Sequence, residues 1–277
     1  MLNRDRPRRV SPAILELYAN LIEEACGVRY GADDRGILAE KLDALEADLD
    51  HERLLDYYYR LRYDDPDGVE TEKLVSAVLV HETYFFRELA ALVQLVDGHL
   101  SDVIRARGRA RVWSAACSSG EEPLTLAMLL DDRGLLDQVE IIATDISEAA
   151  IARATEGIHH RRALREGHPA RLAGRYLEVD GQRITVVPRI RSAVRFRTGN
   201  LLDAEGIGSL GVFDAILCRN VLIYFRENTI ATVVDSLVGS LGPAGVLAVG
   251  ASESLLRMGA AVACEERGGA FFYRSIR

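Results

Sequence analysis

The chain has 277 residues, 48% hydrophobic and 27% charged, with a formal net charge of −8, enough for a core-bearing domain plus a smaller partner. No apolar run reaches about 18 residues and the basic start MLNRDRPRR has no hydrophobic stretch behind it, so neither membrane insertion nor secretion is indicated and a cytoplasmic protein is expected. The acidic balance disfavours nucleic acid as a partner, and Cys26, Cys117, Cys218 and Cys264 lack CxxC or Cys/His ligand spacing, which predicts reduced thiols and no metal.

Ser11-Pro12 is a helix-start signal, and Ile14, Tyr18, Leu21, Ile22 and Ala25 form an apolar stripe that Gly27 ends. Asp33-Asp34 opens a second helix with Leu38, Leu42, Leu45 and Leu49, and Glu52 to Arg62 reads as a third. Asp65-Pro66-Asp67-Gly68 is a turn, after which Val69 to Val80 resumes helical spacing. Residues 1–80 are therefore predicted to form a helical bundle, the smaller domain.

Residues 81–108 link that bundle to the larger domain. HETYFFRE, His81 to Glu88, crowds three aromatics beside polar groups, a mixture that is costly to bury unless the polar groups find partners. A zinc-type HExxH is ruled out by Phe85. Thr83 and Arg87 stand out as candidate ligand contacts, and Leu89 to Ile104 reads as a long helix.

Arg111 to Leu130, RVWSAACSSGEEPLTLAMLL, passes from an apolar strand through a tight turn at Gly120 into a helix with Pro123 in its first turn. Strand, turn and helix N-terminus in that order form an adenosine-cofactor cradle in doubly wound α/β proteins. The GxGxxG glycines are missing, and Glu121-Glu122 would repel a pyrophosphate, which disfavours NAD and FAD. A ligand cationic at this point, such as S-adenosylmethionine with its α-amino group and sulfonium, would be attracted. The second strand, VEIIATDI, ends at Asp145, placed to accept hydrogen bonds from ribose hydroxyls, and Ser147 caps the next helix.

From His159 the chain turns basic and loop-like, and His159, His160 and His168 are expected on the surface. Tyr176 to Val179, Arg183 to Val187 and Ala193 to Arg197 alternate as short strands around Asp180-Gly181, predicting an inserted antiparallel lobe. Asn200-Leu201 comes next, in position to border an adenine. Phe213 to Leu217 is a further strand, and CRNVLIYF leaves it at the sheet's carboxyl edge, offering Asn220 and Tyr224 as polar groups. A helix from Thr229 to Leu241, a Gly242-Pro243 turn and strands at Val246 to Gly250 and Phe271 to Arg274 complete the chain.

Together, His81 to Glu88, WSAACSSGEEP, ATDIS, GNLLD and CRNVLIYF resemble the CheR family, the S-adenosylmethionine-dependent methyltransferases of bacterial chemoreceptors. The resemblance implies an α/β fold of the class I methyltransferase type, a Rossmann-like, mostly parallel sheet with a reversed last strand. It also implies an N-terminal helical domain (1–80), a methyltransferase domain over 109–277 and a small antiparallel β-subdomain inserted at 159–198. Carried over by position, cofactor contacts fall on His81, Thr83, Arg87, Glu121, Asp145, Asn200, Leu201, Asn220 and Val221. The family often has asparagine where His81 stands, and Ser119 replaces a frequent threonine.

The implied reaction is methylation of receptor glutamates, giving methyl esters and S-adenosylhomocysteine. A glutamate nucleophile is already ionised at neutral pH, so no general base is needed. Arg87 and Tyr224 could orient that incoming carboxylate. Family members that tether to a receptor's C-terminal peptide carry a glycine-containing insertion in the β-subdomain; Val187 to Ser192 has none, so a tether-independent monomer acting on the cytoplasmic domains of chemoreceptors is expected. The alternative, a cofactor-binding scaffold without turnover, is opposed by Glu121, Asp145, Asn200 and Asn220 all being present.

Overall fold

The computed structural model describes residues 10–48, 53–80, 82–256 and 262–276. They fall into two compact units, one up to Val80 together with Tyr224–Arg226, the other comprising the remainder.

The first unit is built on helices Pro12–Cys26, Arg35–Asp48, Leu54–Tyr63 and Val69–Val78. Ser11 caps the first by accepting the Ile14 N–H at 3.3 Å, and Gly27 ends it with φ 79°. Asp65 starts the fourth, accepting the N–H groups of Glu70 and Thr71 at 3.1 and 2.8 Å. Tyr18, Ile22, Leu38, Leu42 and Leu74 supply fully buried side chains, so the apolar stripes face inward.

Among the described residues the second unit holds ten strands: β1 (Ala110–Ala115), β2 (Val139–Asp145), β3 (Ile158–His160), β4 (Leu177–Asp180), β5 (Arg183–Val186), β6 (Val194–Thr198), β7 (Phe213–Cys218), β8 (Leu241–Val249), β9 (Val262–Arg267) and β10 (Ala270–Ser275). Seven form one sheet in the order β6-β2-β1-β7-β8-β10-β9. The pairs β1-β2, β1-β7, β2-β6 and β7-β8 are parallel, while β10 runs antiparallel to both its neighbours. Covered on both faces, β1, β2 and β7 read as near-continuous apolar runs. Val112, Ala143, Leu217 and Phe272 meet Leu124, Met128 and Leu92 in the core.

Several features depart from the sequence-based expectation. Ala193 to Arg197 is not in the small lobe: Val194–Thr198 is an edge of the main sheet, pairing in parallel with β2, and its alternating polarity reflects one open side. The small sheet is β3-β5-β4, whose third strand, Ile158–His160, falls where the sequence pattern suggests loop. The eighth strand begins at Leu241, absorbing the expected Gly242-Pro243 turn in a shift of register between Phe213 and Ala215.

Candidate functional site at the carboxyl edge of the sheet

The first strand and its neighbours, β2 and β6, lie to one side of the point where strand order reverses, and β7 lies to the other, which opens a crevice at their carboxyl ends. Two corners border it, one after β1 and one after β7.

The first corner is fixed by backbone demands. Ala116, Ser118 and Gly120 take φ values of 57°, 51° and 91°. A Cβ on Gly120 would stand 2.8 Å from the Ala154 Cβ and 3.1 Å from the Phe196 ring, so both conformation and space require glycine. Gly120 delivers the chain into helix Glu121–Asp132 with Glu121 at its N-terminus. Glu121 is only 3% exposed. Its carboxylate accepts Ser119 Oγ at 2.9 and 3.1 Å and stands 3.0 Å from His159 Nδ1. Asp145, at the end of β2, accepts the Ser118 N–H at 2.7 Å through one oxygen and the Ser147 N–H at 3.0 Å through the other. Each oxygen keeps a second lone pair for a further donor. The Gly199 N–H binds the Asp145 carbonyl at 2.9 Å, drawing the Asn200-Leu201 loop to this corner, where Asn200 Oδ1 accepts the Leu202 N–H at 2.9 Å.

The second corner is organised by ions. Arg219, just past β7, is buried, with a side chain 2% exposed. Its guanidinium reaches Glu122 at 2.9 Å, Glu88 at 3.0 Å and the Arg87 carbonyl at 3.1 Å. Glu122 also accepts Ser114 Oγ at 2.7 Å, so it serves this network while its neighbour Glu121 serves the other corner. Desolvation tends to raise the Glu88 carboxyl, but the Arg219 charge and hydrogen bonds from Arg219, Asn220 and Ala251 outweigh it and hold the group below its ordinary range. Asn220, at φ 61°, gives its side-chain amide to Glu88 at 3.1 Å and its N–H to Glu253 at 2.7 Å. Glu253, 2% exposed, also takes the Gly250 and Ile223 N–H groups at 2.7 and 3.2 Å.

The 82–88 segment joins both corners. The Phe86 N–H donates to Thr125 Oγ1 at 3.1 Å, and that hydroxyl donates to the Glu121 carbonyl at 2.7 Å. All five non-glycine residues with positive φ, Phe86, Glu88, Ala116, Ser118 and Asn220, belong to this segment or to the two corners, among the described residues. Backbone strain concentrated in this way marks a functional site. Arg87 is half-buried, donates to the Glu82 carbonyl at 3.0 Å and lies over the Tyr84 ring at 5.6 Å. Thr83 in the same segment is half-buried, as is Val221, which follows Asn220 in the chain. His81 lies outside the described residues. Tyr224 groups with the helical unit, where its carbonyl accepts the Arg29 N–H at 2.8 Å, so the two candidate substrate-orienting residues belong to different units.

Four residues of the site are not legible in the sequence. His159, expected on the surface, is buried at 6% exposure; the basic residues around it hide its inward side. Glu88 and Arg219 sit inside the quoted motifs without a role that the motifs reveal, and Glu253 lies in a segment that offers no pattern. Cys117 and Cys218 are fully enclosed, and desolvation pushes both thiols well up, so neither is an activated nucleophile.

A crevice lined by carboxylates at the carboxyl ends of β1, β2 and β7, in a seven-stranded sheet whose β10 alone is reversed, defines a class I S-adenosylmethionine-dependent methyltransferase. A family model described as the CheR methyltransferase SAM-binding domain matches residues 81–267. The chain belongs to the CheR methyltransferase family, and its cofactor is S-adenosylmethionine. It is 37% identical over 237 residues to Chemotaxis protein methyltransferase 2 of Vibrio cholerae, covering 83% of this chain and 79% of that one. It is 36% identical to Chemotaxis protein methyltransferase 1 of Pseudomonas aeruginosa, covering 88% and 90%. It is also 36% identical to the probable biofilm formation methyltransferase WspC of Pseudomonas putida, over 74% of this chain and 48% of the other. Among the described residues no helix is long and apolar enough to cross a membrane.

Proposed function

We propose that the chain transfers a methyl group to glutamate side chains on the cytoplasmic domains of chemoreceptors, forming glutamyl methyl esters. The observation that carries this reading is the buried Glu121 carboxylate at the first corner, which has no lysine or arginine ion pair among the described residues. When bound, S-adenosylmethionine supplies an electrophilic methyl on a sulfonium. Glu121 attracts the cationic amino acid end, and a Gly120 without Cβ leaves room for the tight turn that presents it. Asp145 accepts the ribose hydroxyls with its remaining lone pairs. Asn200 and Leu201 border the adenine, while Asn220 and Val221 line the side toward β7. Thr83 and Arg87 contribute cofactor contacts from the linker, and the resemblance to the family assigns a further contact to His81, a position where family members often carry asparagine.

Because the incoming glutamate is ionised at neutral pH, the chain need not move a proton; it orients two reactants and excludes water. Arg87 and Tyr224 are the proposed guides for that carboxylate. Acting as a monomer without a receptor tether completes the reading. The names of the Vibrio and Pseudomonas relatives support the substrate class. Incubation with methyl-labelled cofactor and receptor cytoplasmic fragments tests it: base-labile label on the receptor is expected. Cofactor binding without any such label would leave only a non-catalytic scaffold.

A further inference from the structure

The imidazole of His159 has no assigned role, yet it is buried against the first corner. It projects from β3 of the small sheet, where it pairs with Ile184 of β5. Its Nδ1 is 3.0 Å from Glu121 Oε1, and its ring meets Phe85 edge-on with centroids 4.8 Å apart. Its Nε2 is equally buried and has no hydrogen-bond partner among the described residues. An apolar side chain would fill this space without burying an unpartnered nitrogen, so packing alone does not account for a histidine.

Resting on the reading that Glu121 receives the amino acid end of the methyl donor, the geometry points to His159 as a positioning residue for donor binding. Nδ1–H holds one carboxylate oxygen from the small-sheet side while Ser119 Oγ holds the carboxylate from the turn. Glu121 is thereby locked in one orientation before the donor arrives, and the hydrogen bond also fixes the imidazole tautomer. The small antiparallel sheet thus takes part in cofactor binding as well as lying beside the methyltransferase core.

The test is calorimetry on the full chain with three probes: S-adenosylmethionine, S-adenosylhomocysteine and 5′-methylthioadenosine, which lacks the amino acid end. In His159→Leu the first two are expected to weaken by roughly tenfold, the scale of a hydrogen bond to a charged group, with methylthioadenosine unchanged. His159→Asn, whose amide can donate from near the Nδ1 position, should recover affinity to within about threefold of the unaltered chain. His159→Gln, which donates from near the Nε2 position, should not. The Asn and Gln comparison decides the matter if the Leu variant does not fold. Unaltered affinity in both Leu and Gln variants, or equal weakening of all three probes, would overturn the role. Failure of the unaltered chain to bind S-adenosylmethionine would instead overturn the donor reading itself.

Discussion

The two corners of the crevice are both rich in carboxylates, but they hold them in opposite ways. After β7, Glu88 and Glu122 are paired with Arg219, and Glu253 is bound by three backbone N–H groups. After β1, Glu121 and Asp145 are held by a hydroxyl, an imidazole and two backbone N–H groups, with no lysine or arginine paired to them among the described residues. The second corner sets one guanidinium between two of its three carboxylates and holds the third by backbone N–H groups, tying the sheet edge together; the first holds its two carboxylates without an arginine or lysine among the described residues. Glu121 and Glu122 are adjacent in the chain and still fall on opposite sides of that division, so a residue's role here comes from its counter-ion rather than its motif.

The largest expected effect breaks the second corner. Arg219→Met leaves Glu88 and Glu122 without their cation, and breaking a buried pair in this way costs about 3–5 kcal/mol. Trp113, the single tryptophan, is buried in β1 and makes fluorescence-monitored urea unfolding a report on this unit. A loss below about 1 kcal/mol would show the ion network to be incidental. Next comes Gly120→Ala, which forces a side chain into positive φ and against Ala154, at about 2 kcal/mol in the same assay. The comparison is sharpened most by exchanging the adjacent acids. Glu121→Gln should leave unfolding within about 1 kcal/mol of the parent but weaken cofactor binding by roughly tenfold or more. Glu122→Gln should do the reverse. Matching profiles for the two variants would erase the distinction between the corners.

The first corner is legible in the sequence because its constraints are local. A strand, a forced glycine and a helix N-terminus occupy neighbouring positions, and Asp145 ends the next apolar run. The second is not, because its partners are far apart in sequence: Arg219 meets Glu88 across 131 positions and Glu122 across 97, while Asn220 meets Glu253 across 33. A single sequence carries no periodicity that would reveal such pairs. The same limit explains β6, whose alternation suits an edge strand of either sheet, and β9, whose run VACEER is too polar to read as a strand until β10 lies beside it. His159 combines both difficulties, with basic neighbours in its own segment and its partner 38 residues away.

The smallest expected effect concerns pH and isolates one arm of the Arg219 network. The Glu88 carboxyl lies below its ordinary value of 4.5 in the folded chain, since Arg219, Asn220 and the Ala251 N–H together outweigh its desolvation. A depressed folded value means that the unfolded chain binds the proton more readily, so ionised Glu88 adds stability above about pH 4.5 and that contribution fades as pH falls through the folded value. Glu88→Gln removes this dependence while keeping the side chain's shape. The parent should therefore exceed the variant in stability at pH 7, with the gap narrowing as thermal unfolding is monitored from pH 5 toward pH 3. Other depressed carboxyls, such as Asp132, Glu140 and Glu265, are present in both proteins and cancel in the difference. A gap that stays constant with pH would mean that Glu88 contributes packing and hydrogen bonds to the second corner but not charge.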